Sequence, residues 1–394
     1  MARTLSLYLF RIGCKAATLY EPPCFRRLPA GRGSSPLESA VDRGGDDRFR
    51  VELGDHSKVF SQGDRYHGMR VAALPSSFED EIVIAQAVYR EACKVVEECL
   101  EEVRLGKAIK TDRVGKVVER LVESVLRNHE ALTSLSRVKS LDRYTLNHSV
   151  NTSVLALALG GTLDMNWEEL QWLGVGALLH DIGKVKIPIE TLNKPGRYRP
   201  HEYEIMKQHA LRGAELLAST SGLPEEAAQP ALEHHERMDG SGYPFQRHGR
   251  EVSRFGRIAS IVDIYDAVTT DRVYQKALSP HGALQLLYNL AQQGKLDQPL
   301  VERFIRCVGV YPVGSCVELD AKEIALVTQI HRDHPLSPKV LIIRGAGGRP
   351  LAHPRSLDLA AQGGQPPTRI TAVLDPHELG INPNLYLDAE PAVA

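Results

Sequence analysis

Between residues 144 and 275 the sequence gathers an unusual set of imidazoles and carboxylates: His148, His180-Asp181, His209, His234-His235 and Asp263. Each falls on, or at the end of, a segment whose apolar residues recur at helical spacing. His180-Asp181 ends a run carrying Leu170, Leu173 and Ala177, and Asp263 sits inside a run with Ile258, Ile261 and Val262. An ionisable group against an apolar helix face is costly unless something neutralises it. Taken singly, each of these residues reads more readily as a hydrogen-bonded core residue than as a ligand. Seven together point to metal. Imidazole and carboxylate donors without cysteine suit Mn, Fe or Zn rather than Ca, and argue against a structural zinc knot. The set exceeds the roughly four ligands of one tetrahedral site, which points to two divalent ions. A carboxylate can bridge two metals where a neutral imidazole cannot, so Asp181 is the best candidate for a bridge.

The elements that must position these residues are mostly helices. Upstream, Val88, Ala92, Val95, Val96, Cys99 and Val103 recur at helical spacing, and Leu105-Gly106 supplies a stop. Val114, Val117, Val118, Leu121, Val122, Val125 and Leu126 repeat the pattern. This is a helical hairpin with apolar faces, which either pack onto the main domain or form a dimerisation stalk. Further helices are expected at 142–162, 167–183, 200–220, 224–238, 253–271, 280–293 and 297–308, punctuated by Pro and Gly. Beyond Pro312 the texture turns to short β-like runs at 316–319, 324–330 and 340–344, with a turn at Gly345 to Gly348. The expected fold class is therefore mainly α: a helical bundle with an N-terminal helical hairpin and a small C-terminal β appendage. The expected boundaries are a disordered or degenerate segment over 1–60 and a remnant of a small domain plus the hairpin over 61–139. The histidine-bearing domain spans 140–312, the β appendage 313–360 and a loose tail 361–394. The stretch Phe25 to Arg50 is dense in Arg, Gly, Pro, Ser and Asp, too poor in aliphatics to offset its ordering entropy.

Composition narrows the function classes. The chain has 394 residues, of which 43% are hydrophobic and 25% charged, which are ordinary globular values. Its net charge is −1, from 48 Lys+Arg against 49 Asp+Glu, so no large sequence-independent affinity for a nucleic acid polymer or an anionic membrane is expected. No run approaches the ~18 apolar residues of a membrane helix. The six cysteines are scattered and none forms a CxxC pair, so a disulfide framework is not expected and a reducing cytoplasm is. The apolar stretch Leu5 to Phe10 is too short for a secretory leader.

The order of motifs is specific. His180-Asp181-Ile182-Gly183-Lys184 is followed by Ile187-Pro188, Asn193-Lys194-Pro195-Gly196 and His209. Then come His234-His235-Glu236-Arg237, Asp239-Gly240-Ser241-Gly242-Tyr243-Pro244, Asp263-Ile264-Tyr265-Asp266-Ala267 and Asp271-Arg272-Val273-Tyr274. This closely resembles the HD-GYP family, a branch of the HD metal-dependent phosphohydrolases whose members degrade the bacterial second messenger cyclic di-GMP. The resemblance covers residues 140–312 strongly and the flanking segments more loosely.

The resemblance implies an HD-type bundle and a metal-dependent hydrolysis of cyclic di-GMP to pGpG, with GMP as a further product. It implies His148, His180, Asp181 and Asp263 as ligands of one metal, and Asp181, His209, His234 and His235 as ligands of the other, with Fe or Mn as the ions. Asp181 and Lys184 would be catalytic. Lys184 follows Asp181 by three residues and would sit on the same side of a continued helix, where it can offset charge on the leaving ribose oxygen. Read without the family, it is a lysine at a helix C-terminus, common on dipole grounds. Arg272 corresponds to a phosphate-binding arginine, and its planar fork suits a phosphodiester. The family often has a basic residue three positions later, where this chain has Gln275. Gly242, Tyr243 and Pro244 would border the substrate and offer a docking point for diguanylate cyclase (GGDEF) domains; read alone, they make a tight turn. Asp266 and Asp271 are expected to orient neighbours or cap helices. Some HD-GYP proteins hold a third metal through a glutamate one turn before the first histidine; that position is Tyr144 here, so two metals are expected. The competing readings are an HD phosphohydrolase acting on another cyclic dinucleotide or nucleotide, and a non-catalytic cyclic di-GMP sensor or docking module. The hairpin would support a homodimer.

Overall fold

The computed structural model describes residues 76–135, 144–270, 277–331, 334–361 and 368–387. The expected N-terminal segment 1–60, and with it residues 61–75, lies outside the described residues, as do Asp271, Arg272 and Gln275.

The hairpin is present as α1 (Phe78–Arg104) and α2 (Thr111–Leu135). Ser77 caps α1 by accepting from the Asp80 amide, and Glu79, Asp80 and Glu81 complement the helix dipole in its first turn. α2 breaks at Asn128, which is extended (φ −159°), and the Asn128 side chain caps the resumed helix by accepting from the Glu130 and Ala131 amides. Of the two alternatives for the apolar faces, packing onto the main domain is realised. Val88, Val96, Val117, Val118 and Leu121 belong to the same buried core as Leu155, Leu173 and Ile258. The two helices are also locked by a buried carboxylate: Glu81 accepts from Arg127, Ser124 and Ser76. Breaking a buried pair of this kind by removing one partner costs ~3–5 kcal/mol.

The bundle continues with α3 (Tyr144–Gly160), α4 (Trp167–Leu178), α5 (Pro200–Ala218), α6 (Gln229–Glu233), α7 (Arg254–Val268), α8 (Pro280–Gln292) and α9 (Gln298–Val308). Two expected helices are shorter than their apolar pattern. The run 167–183 stops at Leu178 and resumes as a 3₁₀ helix, Ile182–Lys186, while 224–238 is a 3₁₀ turn, Glu225–Ala228, followed by α6.

The β appendage is a five-stranded antiparallel sheet: β1 (Cys316–Leu319), β2 (Ile324–Gln329), β3 (Lys339–Arg344), β4 (Pro350–Asp358) and β5 (Ile370–Leu374), in the order β4-β3-β2-β1-β5. Here the sequence expectation needs correcting. The segment taken as a loose tail from 361 contains β5, which pairs with β1 in the register Val317 opposite Val373. Its neighbour Ile381 is buried against Cys316, Ile324, Leu326 and Ile343 on one face of the sheet. β5 is a five-residue apolar edge strand, too short to show an alternation. β4 is the other edge: it carries Pro350 and Pro354 and is mostly exposed, so it reads as loop.

Candidate metal centre

The predicted residues come from five elements. His148 lies in α3, His180-Asp181 in the turn after α4, His209 in α5, His234-His235 directly after α6, and Asp263 in α7. The two helix breaks explain how adjacent residues reach one point. Successive residues of an α-helix diverge by ~100°, so His180 and Asp181, or His234 and His235, could not both face a common centre from a continuous helix. The chain leaves α-helical geometry at both doublets, and the His234 and His235 rings come to 4.0 Å between centroids. Close approach of α5 depends on Gly183: a Cβ there would fall 2.0 Å from the His209 carbonyl oxygen.

The seven residues are brought together in two clusters that share Asp181. Its Oδ2 lies 3.7 Å from His148 Nε2 and 3.4 Å from His180 Nε2. Its Oδ1 lies 3.5 Å from His209 Nε2 and 3.8 Å from His234 Nε2. Asp263 Oδ1 completes the first cluster, 3.1 Å from His148 Nε2 and 3.8 Å from His180 Nε2. His235 completes the second, with His209 and His234.

This donor set fits metal. His180, His209 and His234 each donate Nδ1–H to a backbone carbonyl, of Ala177 at 2.8 Å, Met206 at 2.7 Å and Pro230 at 2.8 Å. A carbonyl can only accept, so each Nδ1 carries a proton and each ring turns its Nε2 inward, the atom that can ligate. The Nε2 atoms of His209 and His234 are 3.3 Å apart. Two lone pairs at that distance repel unless a cation lies near both. His180 Nε2 and Asp181 Oδ1 are buried with no hydrogen-bond partner, an expensive arrangement that an ion would relieve.

Protonation is held where ligation needs it. Burial, reinforced by neighbouring imidazoles, pulls His234 down from 6.5 to about 3, and lowers His209 and His235 as well. Burial alone would raise Asp181, but the Lys184 ammonium and the His180 and His209 rings outweigh it and hold the carboxyl well below the usual range. Asp263 is held low against burial by His148, His234 and His180.

The sign of the pH dependence follows. The unfolded chain protonates these histidines near ~6.5 and the folded chain does not. The unfolded state therefore binds more protons, and stability falls as pH drops from there toward the folded value. The two aspartates add a further loss below about 4. Metal-stripped protein should thus lose melting temperature steadily between pH 7 and pH 4. A flat melting profile over that range would contradict the assignment.

The HD domain family matches residues 116–300, and the KOW domain associated with the HD domain matches 316–379, the β appendage. A cyclic di-GMP phosphodiesterase of Pseudomonas aeruginosa is 33% identical over 288 residues, covering 73% of this chain and 69% of its own. The chain belongs to the HD-GYP family. The cyclic di-GMP phosphodiesterase response regulator RpfG of Xanthomonas campestris is 36% identical over 184 residues, 46% of this chain and 47% of its own. A 3′3′-cGAMP-specific phosphodiesterase of Vibrio cholerae is 30% identical over 176 residues, 45% of this chain and 41% of its own. The chain thus spans about half the length of these last two relatives.

The loop that gives the HD-GYP family its name is fixed on the second cluster. Tyr243 stacks on His235, with centroids 4.5 Å apart and planes 26° apart, and its amide donates to the His235 carbonyl at 3.2 Å. Gly242 crosses the chain just ahead of it, where a Cβ would lie 2.4 Å from the Arg237 nitrogen and 2.5 Å from Glu236 Cα. The buried Glu236 carboxylate accepts from the Phe245 amide at 2.7 Å and the Arg247 amide at 3.1 Å, anchoring the loop beyond Pro244. Sequence reasoning quoted Glu236 without assigning it a role. It also missed Glu233, which accepts from Arg247 and from the Ser253 amide, and Lys207, whose ammonium lies over the Tyr203 and Tyr243 rings. The signal in Glu233 and Glu236 was burial, which adjacent residue types do not reveal. Asp266 has the expected orienting role: its Oδ2 accepts from His148 Nδ1 at 2.8 Å.

Lys184 reaches Asp181, but by a different route from the expected α-helix. In the 3₁₀ helix Ile182–Lys186 each turn takes three residues, so Lys184 stands one turn from Asp181 on the same side. Its Nζ donates to Asp181 Oδ2, and its side chain is one-third exposed at the edge of the centre.

Proposed function

We propose that the chain hydrolyses cyclic di-GMP to pGpG at a two-metal centre held by His148, His180, Asp181 and Asp263 on one side and Asp181, His209, His234 and His235 on the other. The observation that carries this reading is the division of Asp181: one oxygen faces His148 and His180, the other faces His209 and His234. Two divalent ions so held would activate a water for attack on phosphorus and offset charge on the non-bridging oxygens. The chain's own residues do the rest. Asp181 stays ionised because Lys184 and the imidazoles stabilise its charge. Lys184 lies at the edge of the centre, within reach of a leaving oxygen. Tyr243, stacked on His235, offers an aromatic wall for a purine, and Arg272, outside the described residues, corresponds by resemblance to a phosphate-binding arginine. The named activity of the relatives is the source of the substrate.

The test is turnover of cyclic di-GMP by anaerobically purified protein, with 3′3′-cGAMP in parallel and metal analysis on the same sample. Metal-loaded protein that cleaves neither would overturn the reading, and preference for 3′3′-cGAMP would change the substrate while keeping the chemistry.

The metal count is a separate expectation. Tyr144 is the first residue of α3, one turn before His148, and a phenol with a pKa near ~10 is a poor ligand. Reconstituted wild type should hold two ions per folded chain, and Tyr144→Glu should gain a third. Three ions in wild type would refute this.

A further inference from the structure

Among His148, His180, His209 and His234, the last three are oriented by a carbonyl three or four residues earlier in their own chain segment. His148 is oriented differently. Its Nδ1 donates to Asp266 Oδ2 of α7 at 2.8 Å. Asp266 Oδ1 in turn accepts from Asn151 Nδ2 of α3 at 2.9 Å, and Asn151 Oδ1 accepts from the Tyr89 hydroxyl of α1 at 2.7 Å. The direction of the chain is forced. A carboxylate can only accept, so the Asn151 amide nitrogen must face Asp266 and its oxygen must face Tyr89.

We propose that Tyr89, Asn151 and Asp266 form a relay of positioning residues through which the N-terminal hairpin sets the orientation and metal affinity of His148. This rests on the metal-binding reading above. A carboxylate on the far nitrogen of a ligating imidazole fixes its tautomer and raises its basicity. Here that carboxylate is held by a side chain, which is itself held by a third helix. A second contact marks the same helix pair: Cys93, one turn after Tyr89, donates weakly to Asn147, beside His148, at 3.7 Å. Tyr89 and Cys93 on α1 thus meet Asn147 and Asn151 on α3, so α1 meets the His148 turn at two polar points. A shift of α1 along α3 acts on the first cluster through this polar chain, whereas α1 nears the second only through packing on the 3₁₀ helix Ile182–Lys186, and no described side-chain hydrogen bond joins His209, His234 or His235 to the hairpin.

The test is Mn(II) titration by calorimetry, without substrate, in two backgrounds. His235→Ala impairs the second cluster and reports on the first; His180→Ala does the reverse. Outer-shell partners of metal ligands are typically worth ~10–100-fold in affinity. In the His235→Ala background, Tyr89→Phe should weaken Mn(II) binding by up to about tenfold, and Asn151→Leu by ~10–100-fold. The double variant should be no weaker than Asn151→Leu alone, because one break already interrupts the relay. In the His180→Ala background Tyr89→Phe should change nothing. Unchanged affinity in the first background, equal losses in both, or additive losses would each overturn the proposal. Should Asn151→Leu fail to fold, Tyr89→Phe, which removes one hydroxyl, carries the test alone. Wild-type protein that takes up no Mn(II) would sink the metal reading itself, and the relay with it.

Discussion

Asp181→Ala should remove phosphodiesterase activity and most of the bound metal while the helical fold survives. Every other ligand belongs to one cluster, so its loss leaves the opposite cluster with its own donors. Asp181 belongs to both: Oδ2 faces His148 and His180, Oδ1 faces His209 and His234. Its removal takes water activation and charge stabilisation together, so the loss should exceed the ~10²–10⁴-fold that general acid–base assistance contributes. Asp181→Asn separates shape from charge. The amide fills the same buried space but cannot share two lone-pair sets between two ions, and it leaves Lys184 without its counter-charge. It should therefore lose metal nearly as completely as alanine does. The readouts are metal content per folded chain, far-ultraviolet circular dichroism and turnover at matched concentration. Wild-type turnover by either variant would end the bridging assignment.

How much of this site was legible in the sequence depended on residue type. Histidines and aspartates on apolar faces are conspicuous because burial without a partner is costly, so all seven candidate ligands could be named and the structure gathers all seven. The breaks in the helices at Leu178 and Glu233 were not legible. Apolar residues continue past the first, at Leu179 and Ile182, and neither break carries a Pro or Gly at the point where the helix stops. Asn151 and Tyr89 were illegible for another reason. They are 62 residues apart, and neither type is unusual where it stands. Their meaning lies in the packing of α1 on α3, which a linear pattern does not encode. The β appendage failed at its edges: β1, β2 and β3 carry buried apolar residues and were expected, whereas β4 is exposed and proline-bearing and β5 is short.

Lys184→Ala should lower kcat with metal content unchanged. The leaving ribose oxygen needs a proton or a counter-charge as the P–O bond breaks, and Lys184 is a cation held at the edge of the centre by the 3₁₀ turn after Asp181. In the structure it neutralises Asp181 Oδ2. An ion ligated by that oxygen would take over this role and leave the ammonium available to the substrate. The expected fall in kcat is ~10²–10⁴-fold, the range of general acid or charge assistance. Lys184→Arg keeps the charge but spreads it over a wider, planar group on a shorter methylene stem, so it should recover only part of the rate. Lys184 also helps to hold Asp181 ionised, which offers a rival explanation: the alanine variant could act by weakening metal binding. Measuring Mn(II) affinity on the same variant separates the two. A kcat defect at full metal occupancy places Lys184 on the leaving group. A defect cured by excess metal places it on Asp181, and an effect confined to KM would assign it to ground-state binding of the substrate.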